Sequence, residues 1–336
     1  MRTGLVDTRQ QRIPFHSRRN NIMPPALNSQ NIVTFIWDFD KTLTPGYMQQ
    51  PIFDRYNVDP GIFWAEVNSL VEHYAARGLR VSKDTVYLSH MLTYIDDGPF
   101  EGMTNKTLRE LGASVPLAPG MPDFMERMRS LVKDDERFAH HGIEIEHYIV
   151  STGLRQMIEG SPIHEFVDGV WACELLSDPP PAGYLESEQS TPPTEKLTQV
   201  GYVLDNTTKT RAIFEINKGV NVWPNLDVNA QMDEDERRVP IRNMIYIADG
   251  PSDVPVFSVV AGRGGRTLGV WTDARNYEGV KDLEDDGRVH SIALADYSEG
   301  SAADMWLSSS LRKIASQICD VRERRLSDIH GPAGHV

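Results

Sequence analysis

Four polar clusters supply the residue types from which the chain could build a reactive site. They are Asp38 with Asp40, Ser151-Thr152-Gly153, Lys209, and Asp249 with Asp253. Together they offer four carboxylates, a hydroxyl and an ammonium. Carboxylates gathered at one mouth repel one another and need a cation. Hard oxygen ligands suit Mg²⁺. The loop spacing of an EF-hand is missing, which argues against calcium storage. A carboxylate is an established nucleophile in phosphoryl transfer. A hydroxyl, the backbone N–H groups of a helix start and a lysine are what an anionic phosphate needs. Lys209 and Lys218 both lie in the interval before Asp249. Lys209 is favoured, because the first turn of a helix can reach strand ends.

The elements that must position these groups are legible around each cluster. Ile32–Thr44 reads Ile-Val-Thr-Phe-Ile-Trp-Asp-Phe-Asp-Lys-Thr-Leu-Thr. An apolar run that enters a polar turn predicts a buried strand delivering Asp38 to its C-terminal end. Ligands of open α/β sheets sit beyond such ends. An ordinary strand closed by an Asp-rich turn is the plainer reading of this stretch alone. Three further clusters at matching positions outweigh it. Glu146–Val150 predicts a strand running into Ser151, and Met244–Ile247 one running into Asp249. Val167–Cys173, Val200–Leu204, Thr267–Trp271 and Ile292–Ala295 predict further strands. Lys209 stands in the first turn of a helix carrying Ala212, Ile213, Phe214 and Ile216, which Gly219 closes.

Between Pro45 and about Ala118 the pattern is helical. Asp59 predicts a cap with Pro60 in the first turn, and Ile62, Phe63, Val67, Leu70, Val71 and Tyr74 recur at helical spacing. Further helices are expected from near Ser82 and from near Thr104 to Gly112. The apolar faces read as core, and His73 and His90 as ordinary helix-face residues without partners at metal-ligand spacing. Arg55, Arg77, Arg80 and Lys83 read as a solvated face. Helices are also expected after Pro119-Gly120, after Gly153, around Val256–Val260, and over Ala302–Arg324. Lys133–His141 reads as a polar stretch between helix and strand, Ser177–Thr198 as an exposed excursion rich in Pro, Ser and Glu, and Val220–Asn243 as irregular. The alternation of strands and helices predicts a parallel sheet covered on both faces. Residues 45–118 are too long for a loop and form an insertion beside the strand ends, placed to act as a lid.

Composition bounds the alternatives. The chain has 336 residues, 40% hydrophobic and 24% charged, which is globular. A net charge of −14 makes nucleic acid and anionic membranes poor partners. Cys173 and Cys319 are the only cysteines, so neither a disulfide framework nor a thiolate metal site is expected. A reducing, cytoplasmic setting follows. No apolar run approaches the ~18 residues of a membrane helix. Residues 1–30 are polar and arginine-rich, and are expected to form a disordered leader. Gly262-x-Gly264-Gly265 precedes a strand instead of following one, so it is no dinucleotide loop.

The ordered set Asp38-Phe-Asp40-Lys-Thr-Leu-Thr, Ile-Val-Ser151-Thr-Gly, Lys209 and Ile-Ala-Asp249-Gly-Pro-Ser-Asp253 resembles the four signature motifs of the haloacid dehalogenase superfamily. The resemblance runs from about Asn31 to Arg275 and is nearest to the phosphoserine-phosphatase-like branch. It implies a three-layer, Rossmann-like α/β core over residues 31–44 and 119–325, with a mainly helical cap over 45–118. It further implies a Mg²⁺-dependent phosphatase acting on a small phosphorylated metabolite. Asp38 would attack phosphorus to give an aspartyl phosphate, and Asp40 would serve as acid and base. The Asp38 carboxylate, the Asp40 backbone carbonyl, Asp249 and Asp253 would hold Mg²⁺, the last directly or through water. Ser151, with Thr152 and Gly153, and Lys209 would hold the phosphate. Ala248 and Thr152 depart from the usual glycines of these motifs. A phosphomutase or phosphotransferase with the same nucleophile is the alternative chemistry. A catalytically silent metabolite-binding protein is the alternative class.

Overall fold

The computed structural model describes residues 30–185, 193–223 and 225–330. The leader expected over 1–30 lies, but for Gln30, outside them. Seven strands form one sheet: β1 (Ile32–Trp37), β2 (Glu144–Leu154), β3 (Gly169–Ser177), β4 (Leu197–Tyr202), β5 (Met244–Ala248), β6 (Arg266–Trp271) and β7 (Ser291–Leu294). Their spatial order is β4-β3-β2-β1-β5-β6-β7. β1 is central, and every residue of β1 and β5 is buried. Strands covered on both faces read as continuous apolar runs, which is why these two were legible.

The expected parallel sheet is present, with one antiparallel strand at its edge. β4 pairs with β3 antiparallel. A parallel return requires a crossover, usually a helix. The described residues between β3 and β4 contain no helix to make one, so the chain folds straight back at the sheet edge.

The core helices are α5 (Asp123–Asp134), α6 (Glu136–His140), α7 (Arg155–Gly160), α8 (Lys209–Lys218), α9 (Val254–Gly262), α10 (Ala274–Asp285) and α11 (Ala302–His330). Side chains alternate between the two faces of a strand. Phe35 and Trp37 of β1 meet Phe124 of α5 edge-on, and Trp37 also meets Tyr297. Tyr246 of β5 is in register with Ile36 and so faces the other way, against Phe257 of α9. Helices therefore cover both faces, as a three-layer fold requires.

The regular elements of the insertion after β1 are all helices: α1 (Gln50–Tyr56), α2 (Pro60–Ala75), α3 (Val86–Ile95) and α4 (Asn105–Gly112). Asp59 caps α2 by accepting from the Gly61 N–H at 2.7 Å, and Thr104 caps α4 by accepting from Thr107 at 3.1 Å. The segment starts and ends side by side, since the Ala118 N–H donates to the Leu43 carbonyl at 2.8 Å. It docks through α4 on α7. A Cβ at Gly160 would lie 1.8 Å from the Arg109 carbonyl oxygen, and one at Gly112 would lie 2.2 Å from that of Met157. Glycine at both positions lets the two backbones touch.

Candidate active site

β1 hands over to the site through one tight turn. The Asp38 N–H still donates to Ile247 of β5 at 2.9 Å. After Asp38 the chain curls, and the Phe39 carbonyl accepts from Thr42, Leu43 and Thr44. Lys41 takes a left-handed φ of 56°. A side chain tolerates that conformation only where its surroundings over-determine it. Because Trp37 is in register with Ile149 on one side and Ile247 on the other, the same sheet edge carries Ser151 and Asp249 to flank Asp38.

Lys209 enters this edge from the first turn of α8. Its ammonium is 1% exposed, and donates to Asp38 at 2.9 Å and to Asp253 at 2.6 Å. Burial works against its charge, but Asp253 and Asp38 reverse that, and its pKa is raised. Lys218, at the far end of α8, donates to the carbonyls of Val228 (2.6 Å) and Ala230. It pins the irregular 220–243 segment and takes no part in the site. Of the two lysines, Lys209 is the one that bonds Asp38 and Asp253.

Asp38, Asp249 and Asp253 each bring a carboxylate oxygen to within 4.8 Å of the others. Burial pushes Asp38 up to about 6, with Lys209 opposing and Asp253 adding. Burial, then the fields of Asp38 and Asp253, push Asp249 well above the usual carboxylate range. An all-oxygen donor set of clustered carboxylates fits a hard divalent cation such as Mg²⁺. Asp253 is itself firmly held. Its Oδ1 accepts from Lys209 and from the Tyr246 hydroxyl at 2.5 Å, and its Oδ2 accepts from Ser252 at 2.7 Å. Oδ2 keeps one acceptor position for a cation or its water.

The Asp40 carboxylate stands outside that group of three. It accepts from the Met48 N–H at 2.8 Å, and burial, against that bond, raises it to about 7. Ser151 is buried, and its Oγ accepts from the Gly153 N–H at 3.0 Å. Thr152 contributes its carbonyl, which accepts from the Tyr87 hydroxyl at 2.7 Å. A Cβ at Gly153 would fall 2.1 Å from Met48 Cε, so glycine is needed while Met48 stays in place. Every site residue expected from sequence therefore lies at this edge of the sheet or in the turns leaving it.

Met48, Tyr87, Tyr246 and Ser252 are the parts that sequence reading passed over. Tyr246 carried a signal, a polar tip in an otherwise apolar buried strand. Met48 carried none, because its contribution to Asp40 is a backbone N–H.

An uncharacterized protein of Borreliella burgdorferi is 36% identical over 286 residues, spanning 84% of this chain and 97% of that protein. The chain belongs to that protein's family. No family model matches the chain. Among solved structures, a haloacid dehalogenase family hydrolase from Salmonella enterica serovar Typhi is similar at 12% identity and a TM-score of 0.47, covering 79% of this chain and 67% of that one. A phosphoserine phosphatase in apo form is similar at 12% identity and a TM-score of 0.47, covering 82% and 98%. These likenesses are faint, and the chemistry rests on the site. The four motif regions of the sequence meet at one end of the sheet.

Proposed function

We propose that the chain is a Mg²⁺-dependent phosphatase that hydrolyses a small phosphorylated metabolite through an aspartyl phosphate on Asp38. One observation carries this reading: two neighbouring aspartates live in different surroundings. Asp38 faces Lys209 and the other metal-ligating carboxylates. Asp40 faces the insertion, where its carboxylate accepts from the Met48 N–H and stands outside the group of three. Pairs of carboxyls with divergent environments mark acid/base and nucleophilic roles.

In the first step an Asp38 oxygen attacks phosphorus, and the bond from phosphorus to the ester oxygen breaks. Protonated Asp40 gives its proton to the leaving alkoxide. Asp40, now a carboxylate, takes a proton from water as that water attacks phosphorus. The bond to Asp38 breaks, free phosphate departs, and both aspartates return to their starting states. Lys209 offsets the negative charge gathered between Asp38 and the phosphoryl oxygens. Ser151 and the N–H groups of the following turn would bond those oxygens. Asp38, Asp249, Asp253 and the Asp40 carbonyl would hold Mg²⁺, which supplies charge neutralisation when bound. The helical insertion over residues 45–118 acts as the cap that excludes water and meets the alcohol part of the substrate.

Release of phosphate from a metabolite panel, with Asp38→Asn beside the parent protein, tests the reading. The parent should turn over at least one ester only when Mg²⁺ is supplied. Equal turnover by Asp38→Asn, or full turnover in excess chelator, would contradict it.

A further inference from the structure

The insertion lays a row of aromatic rings along the site. Tyr47 and Trp64 have ring centroids 6.1 Å apart, and Trp64 and Tyr87 5.9 Å apart. The row is tied to the site at both ends. The Lys41 ammonium sits 4.5 Å over the Tyr47 ring, and Lys41 directly follows Asp40. The Tyr87 hydroxyl bonds the Thr152 carbonyl, in the turn after Ser151. Tyr87 is also near enough to Asp40 for that charge to help raise its pKa, after burial and Cys173.

The rings are not all consumed by packing. Phe63, next to Trp64, and Tyr87 are buried, whereas Trp64 is only partly buried and Tyr47 is 51% exposed. Flat π-surface left open beside a charged mouth suits a flat partner, because stacked rings attract beyond the area they bury. The row also lies on the Asp40 side, where the alcohol must leave.

Building on the phosphatase reading, we propose that Tyr47 and Trp64, backed by the buried Tyr87, form the wall that recognises the alcohol part of the substrate, and that the substrate is a phosphate monoester whose alcohol bears a planar aromatic group. A nucleobase and a simple aryl ring share that chemistry.

Two matched pairs of esters test it. Uridine 5′-monophosphate is compared with ribose 5-phosphate, and benzyl phosphate with cyclohexylmethyl phosphate. Within each pair the bond that breaks is alike and the planar group is present or absent. The expected result is a kcat/KM at least about tenfold higher for the planar member of one or both pairs. A preference in the first pair alone identifies a nucleobase, and one in the second an aryl ring. That preference should shrink towards unity in Trp64→Leu, which keeps an apolar side chain but removes the ring. Tyr47→Leu, at a half-exposed position, repeats the measurement where Trp64→Leu does not fold. Equal rates within both pairs, or a preference untouched in the variants, overturn the wall and leave the phosphatase reading standing. No turnover of any ester overturns both.

Discussion

In the proposed mechanism Asp40 and Lys209 divide the work of the site, and each role has its own test. Asp40 lies outside the three clustered carboxylates, so removing its side chain should separate chemistry from metal binding. Asp40→Ala should keep Mg²⁺ affinity within a few-fold by calorimetry, while turnover falls by about 10²–10⁴. Loss of metal binding would make its carboxylate a ligand instead. With the carboxyl raised to about 7, the proton needed for the first step is present below that pH and lost above it. The rate of phosphoryl transfer from an ester with a poor leaving group should therefore fall as pH rises through about 7, in single-turnover measurements. Lys209→Ala strips the buried partner from Asp38 and Asp253 and should cost about 3–5 kcal/mol of stability, with activity lost. Lys218→Ala should loosen the 228–230 segment and spare turnover. Denaturant melts and rates of the two variants decide between them. Much of this site was readable beforehand, because carboxylates, a serine and a lysine advertise their chemistry by type. The donors that orient them were not. A backbone N–H from Met48 has no residue signature, and Ser252 reads as any turn serine.

The docking of the insertion turns on two glycines that no sequence pattern marks. At Gly160 and Gly112 the backbones of α7 and α4 approach so closely that a methyl group would meet a carbonyl. Gly160→Ala should cost about 1–3 kcal/mol through overpacking, read from denaturant midpoints, and should expose residues 105–112 to faster amide exchange. Unchanged stability and exchange would mean that the α4–α7 contact does not hold the insertion down. Elements with local start and stop signals were legible: Asp59-Pro60 for α2, Thr104 for α4, and Gly219 (φ 84°) closing α8. Elements defined by tertiary partners were not. α6 buries only Phe138 within a charged stretch. α10 starts from a capping box made by Asp273 and Asn276 but buries only Val280 and Leu283. The antiparallel pairing of β4 was not legible, because a strand's own residues do not record its direction.

Across the whole molecule, the site concentrates negative charge in a chain already at −14. Asp38 and Asp40 ionise in the folded protein at about 6 and 7, against an ordinary value of 3.8. The folded state therefore binds more protons than the unfolded one between about pH 4 and 7. Stability from these groups is fully present below that window and falls as pH rises through it. In chelator, the thermal midpoint should drop between pH 5 and 7.5 on this account. Mg²⁺ should raise the midpoint more at pH 7.5 than at pH 5, because protons compete with the cation for the same oxygens. A Mg²⁺ shift equal at both pH values, or larger at pH 5, would contradict the assignment of Asp38, Asp249 and Asp253 as ligands. Among the described residues no helix is long and apolar enough to cross a membrane.

The central claim is that Asp38 carries the phosphoryl group. The direct measurement is rapid-quench mass spectrometry of Asp40→Ala mixed with Mg²⁺ and an activated aryl phosphate. Such an ester needs little protonation to leave, but breakdown of the intermediate lacks its base. A phosphoryl adduct should accumulate, map to Asp38, and be absent from the double variant Asp38→Asn, Asp40→Ala. Product formed with no adduct at any time, or an adduct on another residue, would contradict the account.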